Sequence, residues 1–157
     1  LLWGRPGDVA IVLKQRKALG IDLPVIGNPS TVAATTVANL SAEEADGAYG
    51  VGGMLPQVST DPKVLAFAKQ VLDKTKVPPD NFAVGYRDAM YMVKSVIDKV
   101  GCDRAKIRDG LRAVKDFPGL MISYSADADG ELAHTMGIYR NKGKQTEQIG
   151  VIKAAGH

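Results

Sequence analysis

Val9-Ala10-Ile11-Val12-Leu13-Lys14-Gln15-Arg16-Lys17-Ala18-Leu19-Gly20 reads as a helix, and Leu23-Pro24-Val25-Ile26-Gly27 follows it as a short strand. Ile11, Val12, Ala18 and Leu19 form the face predicted to cover a sheet, with Asp8 as the N-cap. Lys14, Arg16 and Lys17 lie towards the helix end, where cations complement the dipole. Gly20 supplies the left-handed position that closes it. Asn28-Pro29-Ser30 is a loop, after which Ser30 or Thr31 caps a helix expected to run to Asn39. Its β-branched residues make that helix a poor one. Ser41-Ala42-Glu43-Glu44 has the pattern of a capping box, and Ala48-Tyr49-Gly50-Val51 reads as a further strand. Leu1 to Gly4 is expected to be a short buried strand ahead of this series. Strands alternating with helices across short loops are the mark of parallel βαβ units, so the chain is read as α/β.

The second half changes character. Asp61-Pro62 is a strong helix start, and Val64, Phe67, Ala68, Val71 and Leu72 follow at helical spacing. A longer helix is predicted from Phe82 to Val100, with a stripe of Phe82, Tyr86, Ala89, Met90, Val93, Ile97 and Val100, closed by Gly101. Asp103 caps another, predicted to reach Val114, with Gly110 weakening it by ~1 kcal/mol. Leu120–Tyr124 and Thr135–Tyr139 are expected to form a hairpin around Asp127-Ala128-Asp129-Gly130. A last strand is expected over Gln148–Ile152, after a turn at Asn141-Lys142-Gly143-Lys144.

The chain of 157 residues is 45% hydrophobic and 24% charged, as in ordinary globular proteins. Its net charge of +3 is spread out, with no basic run, and aromatic content is 6%; nucleic acid is not an expected partner. One cysteine, Cys102, excludes an internal disulfide, and His134 and His157 lie far apart, so no metal site is expected.

No residue set points to catalysis. Gly50-Val51-Gly52-Gly53 runs into Met54-Leu55-Pro56 and not into a helix, so it reads as a strand-end bend and not a phosphate loop. Asp127-x-Asp129-Gly130-Glu131 resembles the start of a calcium loop, but position twelve is Ile138; a hairpin turn fits better. His134 near Asp129 or Glu131 could serve acid–base chemistry or be an exposed hairpin histidine. Ser123 and Ser125 lack a nucleophile-elbow context. Tyr86, Met90 and Tyr91 could line a cofactor pocket, but their spacing reads as core. No cofactor is expected.

Several segments in order resemble the second half of a type I periplasmic-binding-protein receptor, in the branched-chain amino-acid (Leu/Ile/Val) ABC-transporter substrate-binding family. They are Ala10–Gln15 with Ala18-Leu19-Gly20, Leu23–Gly27, Ala45–Tyr49, Pro78–Ala83 with Gly85-Tyr86 and Asp88-Ala89, Ile107–Leu111, Phe117-Pro118-Gly119 and Ser125–Gly130. The resemblance implies a partial three-layer αβα fold in two lobes. Residues 1–54 and 139–157 would belong to the second lobe and 55–138 to the first. It implies an extracytoplasmic, periplasmic solute receptor, without catalysis, that closes on a small ligand and delivers it to a membrane ABC permease. Ligand-sensing domains of receptors and regulators share the fold. A doubly wound nucleotide-using enzyme is a further alternative, for which Gly4-Arg5-Pro6-Gly7 lacks the third glycine.

On that template the ligand sits beyond the carboxyl ends of the strands. The site residues expected are Trp3, Arg5, Asn28, Ser30 and Met54, with Phe82 and Ala83 from the other lobe. Amino-acid-binding relatives carry an acidic residue in the loop occupied here by Asn28-Pro29-Ser30. Arg5 reads either as a solvated arginine or as a cation suited to a carboxylate. A carboxylic acid without a free amine is therefore favoured over an amino acid. The family's N-terminal half has no counterpart here, so the stripes over 61–74 and 82–100 would lack their sheet. The chain is expected to be a cleaved or truncated fragment that covers those faces by homodimerisation or domain swapping, or with a missing piece.

Overall fold

The computed structural model describes residues 1–153, so His157 lies outside the described residues. The first half is βαβ in character. Helix α1 spans Pro6–Ala18, β1 Val25–Gly27, α2 Ala34–Ala38, α3 Ala42–Ala45 and β2 Ala48–Gly52. β1 and β2 pair in parallel, and Leu2 adds one parallel bridge to Gly27. The expected buried strand at Leu1–Gly4 reduces to that bridge, because Leu1 and Trp3 are exposed. α1 starts three residues earlier than expected. Pro6 takes the first helical position, and Arg5, not Asp8, occupies the N-cap without a side-chain bond.

The sheet's covered face is set by register. Val25, Gly27, Ala48, Gly50, Tyr139 and Asn141 lie on one side of it. Val9, Ala10 and Leu13 of α1 pack there with Leu40, Ala45 and Ala48. The expected α1 face is therefore wrong. Ile11, Val12 and Leu19 point to solvent, because the apolar residues are spread around the helix and its packing selects Val9, Ala10 and Leu13 instead. On the sheet's opposite face, Ile26 is exposed and Tyr49, Val51 and Ile138 are partly so.

The expected helix to Asn39 breaks into a 3-10 turn at Pro29–Thr31 and the short α2. The buried Thr36 hydroxyl donates to the Ser30 carbonyl at 2.6 Å, which ties the two pieces together. Ser41 and Glu44 form the expected reciprocal capping box on α3.

The second half holds α4 (Pro62–Thr75), α5 (Asn81–Val100) and α6 (Arg104–Arg112). Asp61, Asp80 and Asp103 cap them through their carboxylates. Val84, Asp88, Met92 and Val96 form the buried face of α5. Gly110 of α6 is a packing requirement as well as a propensity cost: a Cβ there would lie 2.5 Å from Val96 Cγ1. The expected α5 stripe faces outward. Phe82, Tyr86 and Met90 are 57%, 74% and 73% exposed, and Tyr91 and Val93 are also exposed, so the core reading of Tyr86, Met90 and Tyr91 is overturned. On α4 only Val64 of the expected stripe is buried. No further layer covers these faces among the described residues.

Short strands β3 (Phe117–Pro118), β4 (Ser123–Ala126) and β5 (Leu132–Ala133) form a small antiparallel sheet. The turn at Asp127–Gly130 is as expected. The Asp127 carboxylate accepts from the Asp129 and Glu131 amides, and Gly130 adopts φ +85°. The hairpin partner differs from expectation. β4 pairs with β5, and β6 (Met136–Lys142) returns to the larger sheet. There it lies antiparallel to β2 and to β7 (Gln145–Ile152), giving the order β1-β2-β6-β7. The cause is Tyr139. Its buried ring lies where a Cβ on Gly137 would be, 2.1 Å from the hydroxyl, and its hydroxyl accepts from the Leu55 amide at 3.0 Å. That anchor is available beside β2 and not beside β4.

One buried carboxylate joins α5 to the small sheet. Asp88, 1% exposed, accepts from the Leu120 amide at 2.9 and 3.0 Å, from the Tyr124 hydroxyl at 3.2 Å and from Arg87 at 2.7 Å. Burial, then the charge and hydrogen bond of Asp88, push the Tyr124 phenol up to about 12. Asp88→Ala leaves those donors unpaired and should cost about 3 kcal/mol, read as a lower urea midpoint. An unfolded tyrosine titrates near pH ~10. The raised Tyr124 value therefore contributes stability that is fully present below pH ~10 and is lost as pH rises through about 12. Burial raises Tyr139 in the same sense. Urea unfolding across that window should show a shallower loss in Tyr124→Phe than in the parent chain.

Candidate functional site

Loops from both halves converge at the carboxyl ends of the parallel strands. The Leu2–Gly27 bridge brings Trp3-Gly4-Arg5 beside Asn28, whose side-chain amide donates to the Gly4 carbonyl at 3.1 Å. Gly27 allows this approach, because a Cβ there would meet the Leu2 carbonyl oxygen and Thr31 Oγ1 at 2.3 Å. The Asn28–Ser30 loop in turn lies against the end of β2. A Cβ on Gly52 would fall 2.1 Å from Pro29 Cγ. The next residue, Gly53, faces Asn81 at the start of α5, with a would-be Cβ 3.3 Å away. Strand ends, the Asn28–Ser30 loop and the α5 N-terminus thus form one continuous line.

Between Gly53-Met54 and α5 opens a cavity of about 400 Å³. Met54, Phe82 and Tyr86 line it together with Met121, Ile122 and Tyr124. Asn81 and His134 add polar groups. The His134 Nδ1 lies 2.9 Å from the Leu132 carbonyl, and its ring centroid is 6.2 Å from that of Tyr124. Tyr139 supports the cavity from below, since the amide it receives belongs to Leu55, next to Met54. No lysine, arginine, aspartate or glutamate lines the cavity. It suits an apolar or aromatic group with a few hydrogen-bonding atoms.

The structure brings together Met54 and Phe82 of the expected residues. Ala83 sits one position on, its amide spent on the Asp80 carboxylate at 2.9 Å, and does not line the cavity. Trp3, Arg5, Asn28 and Ser30 lie outside it, along the adjoining strand ends. Trp3 is 85% exposed, Arg5 is exposed, and Ser30 is buried. The Oδ1 of Asn28 is buried without a hydrogen-bond partner. Met121, Ile122, Tyr124 and His134 escaped the sequence reading as binding residues. Asp88, a lone carboxylate among apolar residues on the α5 face, was the available signal, because it fixes the segment that carries the first three. Among the described residues no group of three His, Cys, Asp or Glu side chains could hold a metal ion, and no helix is long and apolar enough to cross a membrane.

Comparisons with known proteins agree on the architecture. A leucine-binding protein of Thermotoga maritima superposes with a TM-score of 0.80 at 19% identity, over 96% of this chain and 43% of that one. A branched-chain amino-acid transporter substrate-binding protein of Streptococcus pneumoniae, solved with isoleucine, gives 0.81 at 26% identity over the same shares. An ABC-transporter solute-binding protein of R. palustris, solved with benzoate, gives 0.77 at 21% identity over 100% of this chain and 43% of that one. The chain therefore spans less than half the length of these solved relatives. No curated protein matches it. A family model described as periplasmic binding protein matches residues 1–146. With its βαβ strand ends meeting a second, helical part across an open cavity, the chain belongs to the periplasmic binding protein family.

Proposed function

We propose that the chain forms part of an extracytoplasmic solute receptor of an ABC importer, which captures a small carboxylate by closure of two lobes. The single observation that carries this reading is the meeting of the β2 end with the α5 N-terminus around an uncharged cavity of about 400 Å³, beside the other strand ends. On this reading residues 1–54 with β6 and β7 make the second lobe, and the helices α4–α6 with the small sheet make the first. Two connections join them, and they lie side by side where Gly52 pairs with Gly137. Bending there is the hinge motion, driven by ligand contacts to both walls. The receptor binds and releases its ligand without altering it, and hands it to a membrane permease from the periplasmic side.

The cavity takes the ligand's apolar end, against Met54, Phe82 and Tyr124. Its carboxylate lies towards the strand ends, where Arg5 supplies the cation. The Asn28-Pro29-Ser30 loop holds no carboxylate to neutralise an ammonium. Keto acids and aromatic acids therefore fit better than amino acids. The benzoate held by the R. palustris relative is a ligand of this kind.

The exposed α5 stripe of Phe82, Tyr86, Met90 and Val93 amounts to on the order of 500 Å², larger than an isolated surface usually leaves wet. In the isolated chain its occupant is a second copy, related by a two-fold axis that lays the stripe on itself. Leu65 and Leu72 of α4 are also exposed and add to the apolar area open to a partner.

Calorimetry on the receptor carrying this chain should show benzoate or 4-methyl-2-oxopentanoate binding more tightly than leucine. Arg5→Gln should weaken the acid at least tenfold, and tighter binding of leucine would refute the ligand assignment. Sedimentation of the 157-residue chain should give a dimer. A folded monomer at high concentration would contradict the proposed pairing.

A further inference from the structure

The α6 helix builds a second cavity that owes nothing to the strand ends. It measures about 540 Å³ and lies between α5, α6 and the β4–β5 turn. Its floor is apolar: Met92 and Val93 from α5, Ile107 and Leu111 from α6, and Leu132 from β5. Its rim is cationic. Arg104, Arg108 and Arg112 line it at i, i+4 and i+8 of one helix, a row about 12 Å long. Arg108 is paired with the neighbouring Asp109 at 2.7 Å. Arg104 and Arg112 form no ion pair among the described residues. Gly130 closes the far side. At φ +85° it brings the turn under Arg112, whose Nε would lie 3.5 Å from a Cβ there.

A row of guanidinium groups above an apolar trough has a definite chemical complement. Water satisfies the guanidinium groups but not the floor, and a plain inorganic anion satisfies the rim alone. An anion with an aliphatic tail satisfies both: its headgroup takes bidentate hydrogen bonds and its tail displaces water from Ile107, Leu111 and Leu132. The volume falls within the range of small-molecule sites and accommodates a chain of roughly ten carbons. We propose that the α5–α6 cavity is a binding site for a medium-chain amphipathic anion, with Arg104 and Arg112 on the headgroup. This site shares no residue with the cavity at Met54 and Phe82, and it meets the exposed α5 stripe only at Val93.

The experiment uses the 157-residue chain and three probes of equal tail length: decanoate, decanol and decyltrimethylammonium, each below its micelle concentration. Decanoate should bind at least tenfold more tightly than decanol, and the cationic probe should bind most weakly. Arg104→Gln/Arg112→Gln should remove that tenfold advantage while leaving decanol binding unchanged. Both positions are exposed, so the fold persists. Amide shifts in NMR spectra should centre on Ile107, Leu111 and Leu132. Equal affinities for decanoate and decanol would overturn the proposal. So would a double variant that binds like the parent, or shifts centred on Phe82 and Tyr86.

Discussion

The pairing of β2 with β6 holds the molecule together. It joins residues 48–52 to residues 136–142, across the whole helical part of the chain. Four contiguous pairs would be modest on their own. Their strength comes from what flanks them: Tyr139 fills the space over Gly137 and takes the Leu55 amide, and Asn141 donates to the Thr31 carbonyl at 3.2 Å. The outward connection and the return are thereby fixed to each other at one point. Every element between them is a long excursion from that point, and the cavity opens where the excursion begins.

The glycines around this junction share one physical role. Gly27, Gly50 and Gly52 lie on the covered face of the sheet, where a Cβ would meet Thr31, Val32 and Pro29 respectively within 2.6 Å. Backbone thus sits directly on backbone and loop, and the strand ends are drawn close enough to act as one surface. The arrangement also explains why Gly50-Val51-Gly52-Gly53 resembles a phosphate loop without being followed by a helix: its glycines make room for neighbours already in place.

Local chemistry was readable from the sequence where a few adjacent residues control the outcome. The Ser41/Glu44 box, Asp61-Pro62, Gly101 and Asp103 all act within one helical turn, and each appears as expected. The parallel pair was readable because short strands and helices alternate. The destination of residues 135–139 was not, because alternation of apolar residues specifies a strand and not its partner. The choice was made by Tyr139 meeting Leu55, 84 positions away. The same distinction divides the site. Met54 and Phe82 follow from rules about strand ends and helix starts. Met121, Ile122 and Tyr124 depend on hydrogen bonds to Asp88 across more than thirty residues. The orientation of α5 is intermediate: both of its faces are apolar enough to be buried, and Asp88, Val84, Met92 and Val96 take the inward side.

The chain's single tryptophan, Trp3, stands almost fully in water at the rim of the strand ends. Its indole is thus the sole long-wavelength emitter in the polypeptide, placed beside Arg5 and Asn28 and away from every apolar cluster. An event that dries that rim alters the colour and intensity of its fluorescence, while rearrangements elsewhere leave its emission unchanged. The fold supplies its own optical gauge, requiring no attached dye.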